Sequence, residues 1–87
     1  MVEKVLTVNL PQGLAARPAA EFVKRASSFS SQIRIGKNGH FVDAKSVLGV
    51  MSMAIARGES VTLQAEGSDA ERAVETLAEL LSRDTFE

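Results

Sequence analysis

The sequence predicts an α+β fold, an open-faced β-sandwich in which a four-stranded antiparallel sheet is covered on one side by three helices, in the order β-α-β-β-α-β-α. Three observations carry this expectation. Segments with period-two apolar alternation are interleaved with segments whose apolar residues fall at helical spacing, and an alternating strand needs cover on one face only. The 87 residues leave room for one small domain, spanning 1–87, and not for two. Hydrophobic residues make up 45% and charged residues 24%, which suits a folded core and neither a disordered tail nor a fibrous repeat.

From Glu3 to Leu10 β-branched residues are frequent, and Leu6 and Val8 share one face at period two, as in a half-buried strand. Pro11-Gln12-Gly13 breaks that strand. Pro18 is expected at the first helical position, where the missing N–H has no partner to lose, and Ala19, Phe22, Val23 and Ala26 continue the helix to about Ser27 or Ser28. Gln32-Ile33-Arg34-Ile35 and Phe41-Val42 read as two short strands joined through Lys37-Asn38-Gly39, because Asn-Gly supplies the positive φ values of a tight hairpin. Between Ser46 and Ala56 the chain is densely apolar and fits a short helix, with Ser46 as N-cap and Arg57-Gly58 as C-terminal cation and stop. So dense a segment cannot bury every side chain, and part of Val47, Leu48 and Met51 is expected to face water.

Val61, Leu63 and Ala65 alternate with Thr62, Gln64 and Glu66 in the last strand, ended by Gly67. Ser68-Asp69-Ala70-Glu71 reads as a capping box for the last helix. That helix places Ala70, Ala73, Val74, Leu77, Leu80 and Leu81 on one face, sets Glu79 four residues before Arg83, and ends near Arg83.

Composition excludes several functions. Ten Lys and Arg against eleven Asp and Glu give a net charge of -1 with no block of like charge, so direct nucleic-acid binding is not expected. The absence of cysteine removes disulfides, thiolate nucleophiles and thiolate zinc sites, and His40 is the sole histidine, so no metal or other cofactor is expected. One histidine cannot build a Ser-His-Asp arrangement, and the carboxylates are scattered, so the chain is not expected to be an enzyme. With no Trp or Tyr and four Phe there is little aromatic wall for a small-molecule pocket. No apolar run approaches the roughly 20 residues of a membrane span, and the opening Met1-Val2-Glu3-Lys4-Val5 lacks a leader pattern, so no membrane contact and a cytoplasmic address are expected.

Two segments remain as candidate sites. Gly13-Leu14-Ala15-Ala16-Arg17-Pro18-Ala19 places a glycine turn, an arginine and a proline at a helix start, where amides and the helix dipole can receive an anion. Lys45-Ser46-Val47-Leu48-Gly49 places a serine where phosphorylation would set about -1.5 to -2 charge against a helix's positive end. Taken singly, the first is equally an ordinary turn with a solvated arginine, and the second an ordinary N-cap.

In their order and spacing the two segments resemble HPr, the phosphocarrier family of the bacterial sugar phosphotransferase system, over nearly the whole chain. Gly13-Leu14 with Ala16-Arg17-Pro18-Ala19 matches the family's active-site signature, and Asn38-Gly39 followed by Lys45-Ser46-Val47-Leu48-Gly49-Val50-Met51-Ser52 matches its regulatory-serine signature. Where the family carries its phosphorylated histidine this sequence has Ala15, whose methyl can neither accept nor pass on a phosphoryl group. His40, beside the Asn-Gly turn, is expected to be a solvated strand residue and no substitute.

HPr-like chains without the histidine but with the serine form the Crh branch, and this sequence looks most like that branch, although Crh commonly has glutamine where Ala15 stands. The resemblance implies phosphorylation of Ser46 by HPr kinase/phosphorylase and corepressor binding to the LacI-type catabolite control protein. Arg17, kept without its phosphohistidine partner, and the apolar patch of Val47, Leu48 and Met51 are the expected docking residues, with Ala16, Ala20 and Lys24 beside Arg17. The alternative is a phosphocarrier HPr inactivated by a His-to-Ala change at position 15. If the family's sheet order holds, Glu3 to Leu10 is an edge strand on the short hinge Pro11-Gln12-Gly13, so the chain is expected as a monomer or a strand-exchanged homodimer.

Overall fold

A computed structural model describes residues 1–85. The chain runs β1 (Val2–Thr7), α1 (Ala16–Ser27), β2 (Gln32–Lys37), β3 (His40–Asp43), α2 (Val47–Ser52), β4 (Ser60–Glu66) and α3 (Ala70–Ser82). The strands form one antiparallel sheet in the order β1-β4-β2-β3, so β1 and β3 are its edges. Element order and sheet are those read from the sequence.

Register sorts the two faces. Val2, Lys4 and Leu6 lie opposite Ala65, Leu63 and Val61, whose side chains join the core, while Glu3, Val5 and Thr7 share the open face with Gln64, Thr62 and Ser60. The core lies between the covered face and the helices, with Phe22 of α1, Leu77, Leu80 and Leu81 of α3, and Ile33, Ile35 and Leu63 of the sheet almost wholly enclosed. Helix α3 packs on β1, β4 and β2, and α1 packs on α3 and α2. Asn38 (φ 55°) and Gly39 (φ 81°) make the hairpin turn between β2 and β3, both in the left-handed region that the Asn-Gly pair tolerates.

Four boundaries differ from the sequence reading. β1 ends at Thr7 and not at Leu10, because the backbone bonds of the next residues go to partners outside the β1–β4 ladder. The Val8 N–H donates to the Glu59 carbonyl (2.9 Å), the Asn9 N–H to the Leu81 carbonyl (2.8 Å), and Asn9 Nδ2 to the Ser82 carbonyl (3.3 Å). Asn9 thus caps the end of α3, while Val8 and Leu10 remain buried. Helix α1 begins at Ala16, which puts Pro18 third and not first; an N–H is still dispensable there, since first-turn amides have no intrahelical acceptor.

Helix α2 stops at Ser52, and Arg57-Gly58 lies in a later turn, so no cation caps its last turn. Met53 and Ile55 are both buried, and Ala54, between them with φ 50°, takes the chain out of the helical path. The capping box is also absent. Asp69 is the N-cap of α3 without a capping hydrogen bond, because its carboxylate accepts instead from the backbone amides of Ser30 (2.9 Å) and Ser31 (3.0 Å) and from both serine hydroxyls. Those bonds, the Ser31 hydroxyl first, pull the Asp69 carboxyl down to about 2 and tie the α1–β2 loop to the start of α3. At the other end of α3, Glu79 and Arg83 form the expected i,i+4 pair at 2.8 Å.

Candidate functional site

Both candidate segments sit at helix starts, and the two helices they begin, α1 and α2, pack against each other. The approach to α1 is fixed by Gly13. Its φ of 67° is left-handed, and a Cβ there would lie 2.2 Å from the Ile55 carbonyl oxygen and 2.8 Å from Ala56 Cα, so only glycine lets the loop close on the α2–β4 connection. Leu14 N–H seals the contact by donating to that Ile55 carbonyl at 2.9 Å, and its side chain is buried.

The chain then emerges to the surface. Ala15 is the N-cap of α1, exposed and extended (φ -117°, ψ 152°), and its methyl offers no acceptor to the first-turn amides. Ala16 follows at φ 47°, a left-handed conformation that costs an L-residue about 1–2 kcal/mol. Ala16, Ala20 and Lys24 recur at four-residue spacing, with Arg17 beside them; all four are exposed, opposite the buried stripe of Pro18, Ala19, Phe22, Val23 and Ala26. Pro11, Gln12, Ala16, Arg17 and Pro18 line a depression of about 280 Å³. Small-molecule sites start near 300 Å³, so the depression suits an inserted side chain better than an enclosed ligand.

Three bonds hold the entry to α2. The Asp43 side chain accepts from the Lys45 amide (2.9 Å), the Asp43 carbonyl accepts from the Ser46 amide (3.1 Å), and Lys45 Nζ donates to the Phe29 carbonyl (2.8 Å). Ser46 is the N-cap, as expected: its Oγ accepts from the Gly49 amide at 3.0 Å and its carbonyl takes the Val50 amide at 3.0 Å. Val50 is the one buried residue of this helix and anchors it to the core. Val47, Leu48 and Met51 are left 41%, 81% and 44% exposed, the apolar patch read from the sequence. The first turn of α2 holds no acidic residue to oppose a new negative charge.

His40 opens β3, exposed and across from Lys37, on a different element from either helix start. Among the described residues no group of three His, Cys, Asp or Glu is placed to hold a metal ion, and no helix is long and apolar enough to cross a membrane. Sequence reading missed two supports of the site. One is the Lys45 tether to Phe29, which no local pattern announces. The other is Glu59, whose Oε1 accepts from the Ala56 amide (2.7 Å) and from Lys37 Nζ (3.1 Å), bonds that lower its pKa and brace the connection on which Gly13 rests.

Comparison with known proteins agrees with this geometry. The family model described as the HPr component phosphorylation site of the phosphotransferase system matches residues 2–83. The HPr-like protein Crh of Halalkalibacterium halodurans is 48% identical over 84 residues, 97% of this chain and 100% of that protein. Among solved structures, the phosphocarrier HPr of Bacillus anthracis superposes with a TM-score of 0.92 at 49% identity, covering 93% of this chain and 96% of that one. Crh of Bacillus subtilis, a dimer with a swapped domain, superposes with a TM-score of 0.77 at 42% identity, covering both chains fully.

Proposed function

The chain belongs to the HPr family of the phosphotransferase system, and from that premise we propose that it is a Crh-type regulator of carbon catabolite repression: a cytoplasmic, non-enzymatic corepressor switched by phosphorylation at Ser46. The observation that carries this reading is Ala15 at the N-cap of α1, which leaves the family's carrier position without a nucleophile and Ser46 as the remaining phosphorylation signature. In the kinase, Ser46 Oγ attacks the γ-phosphorus of ATP, loses its proton and displaces ADP. The product adds about -1.5 to -2 charge at the N-terminus of α2, where the dipole and the free amides favour it.

The outer phosphate oxygens then face the partner's Arg or Lys, and Val47, Leu48 and Met51 add apolar contact. Arg17, with Ala16, Ala20 and Lys24 along α1, completes the surface offered to the LacI-type catabolite control protein. The fold need not change, because Ser46 already caps the helix.

Incubation with HPr kinase/phosphorylase and ATP, followed by intact mass and site mapping, tests the switch: one phosphate on Ser46 is expected, and a mass shift that persists in Ser46→Ala would overturn the assignment. Calorimetric titration of the phosphorylated chain into the repressor tests the surface; affinity that is equal without phosphate, or unchanged in both Arg17→Ala and Met51→Ala, would move it elsewhere. A second reading, a phosphocarrier HPr disabled at position 15, is favoured by the closer superposition on the Bacillus anthracis carrier. A second, histidine-containing HPr gene in the same genome would decide against it. Because β1 is an edge strand and the Bacillus subtilis relative is a swapped dimer, the chain is proposed to exist as a monomer or as a homodimer exchanging β1; light scattering that shows monomer at every concentration would remove the dimer.

A further inference from the structure

We propose that Met51 is a reversible oxidation site at which a hydroperoxide silences the docking surface while leaving the fold intact; this rests on the reading of that surface given above. The chain has three methionines. Two of them, Met51 and Met53, are separated by one residue yet occupy opposite environments: Met51 is 44% exposed between Val47 and Leu48 on α2, whereas Met53, the C-cap, is 7% exposed and part of the core. Residues two apart on a helical turn point to opposite sides, and Met53, still right-handed at the C-cap of α2, therefore turns inward where Met51 turns outward.

The chemistry is a two-electron oxygen transfer. A lone pair on Met51 Sδ attacks the outer peroxide oxygen, the S–O bond forms as the O–O bond breaks, and the departing hydroxide, or the alkoxide of an organic hydroperoxide, takes up the proton of the transferred oxygen and leaves as water or the alcohol. Sulfur is oxidised and the peroxide reduced. An exposed thioether reacts without prior opening of the protein, whereas Met53 needs local unfolding first. The sulfoxide is polar and chiral, so it no longer offers a soft apolar contact beside Leu48 and Val47. Loss of one apolar anchor of that size weakens binding about tenfold. A methionine sulfoxide reductase reverses the step, which separates a switch from damage.

The test exposes the full chain, phosphorylated on Ser46, to graded hydrogen peroxide, followed by desalting, peptide mass mapping and titration into the catabolite repressor. Met51 should reach full oxidation while Met53 is still reduced and the far-ultraviolet dichroism is unchanged; affinity should fall about tenfold and return after reductase treatment. The variant Met51→Leu supplies the internal control: whatever its own affinity, the ratio before and after peroxide should be one. Oxidation of Met53 in step with Met51, undiminished affinity with Met51 fully oxidised, or an equal peroxide loss in Met51→Leu would each overturn the proposal. If the untreated phosphorylated chain binds no repressor, the functional reading itself fails, and that result is visible before any peroxide is added.

Discussion

Ser46 is both a helix cap and the proposed phosphoacceptor, so two changes at one oxygen should move stability in opposite directions. Ser46→Ala removes the Oγ that accepts from the Gly49 amide at 3.0 Å. Loss of such a cap costs about 1 kcal/mol, which lowers Tm by about 4–8 °C in a domain of this size. Phosphorylation instead adds charge where the dipole welcomes it. The first turn carries no acid, and the neighbouring Lys45 is held on the Phe29 carbonyl; against this, the Asp43 carboxylate, turned to the Lys45 amide, repels the phosphate.

A dipole contribution of about 0.3–1 kcal/mol raises Tm by about 1–8 °C, with Asp43 reducing the gain. Both electrostatic parts shrink in 1 M salt, where the Debye length is about 3 Å, whereas the loss in the alanine variant does not. Melting the phosphorylated, unmodified and Ser46→Ala proteins at low and high salt should therefore rank them in that order, with the first gap closing in salt and the second unchanged. A phosphorylated form that melts below the alanine variant at both salt concentrations would refute the reasoning, since the phosphate would then break the cap and not use it.

Three other outcomes are expected. The Asp69 carboxyl sits at about 2 in the folded chain against an ordinary 3.8, so the stability it contributes is present above the ordinary value and is lost as pH falls through about 2. Urea midpoints measured from pH 5 down to pH 2 should fall more steeply for the natural chain than for Asp69→Asn, and parallel curves would contradict the role given to the Ser30 and Ser31 bonds. Gly13→Ala forces a Cβ to within 2.2 Å of the Ile55 carbonyl oxygen at φ 67°. It should destabilise by about 2–4 kcal/mol in urea denaturation, through left-handed strain and loss of the Leu14–Ile55 hydrogen bond; a change below about 0.5 kcal/mol would mean the loop relaxes freely. Finally, Ala15→His should accept a phosphoryl group from enzyme I and phosphoenolpyruvate, read by intact mass, if Arg17 and the α1 amides retain the carrier arrangement; continued inactivity would show that they do not.

The architecture was legible because its signals are local. Alternation in β4, the Asn-Gly turn, the Ser46 cap and the Glu79–Arg83 spacing each fix their own geometry within a few residues. The errors fall where a distant partner decides. Ser68-Asp69-Ala70-Glu71 has the spacing of a capping box with Ser68 as cap, but the cap position falls one residue later on Asp69, whose carboxylate is drawn to Ser30 and Ser31, some 38 residues away in sequence. The dense apolar run from Ser46 to Ala56 reads as one short helix, but the helix ends at Ser52 and the chain turns left-handed at Ala54, between the buried Met53 and Ile55. Of the site itself, the exposed patch and the cap were readable. The Gly13 approach to Ile55 and the Lys45 tether were not, because each joins segments that sequence spacing leaves unrelated.

The Asn9 cap on α3 has a kinetic consequence. To hand β1 to a second chain, the molecule must release the ladder to β4, withdraw Val8 and Leu10 from the core and strip the Leu81 and Ser82 carbonyls of their donor. Those losses reach across the sheet and the longest helix, so the barrier to exchange approaches that of unfolding the chain. If the proposed exchange occurs, single and exchanged forms would interconvert over the lifetime of the native state, not over the time of a binding measurement. The proportion in a sample would then record the concentration and temperature at which the chain last folded, and a cell that makes the protein dilute would keep it single long after its concentration had risen.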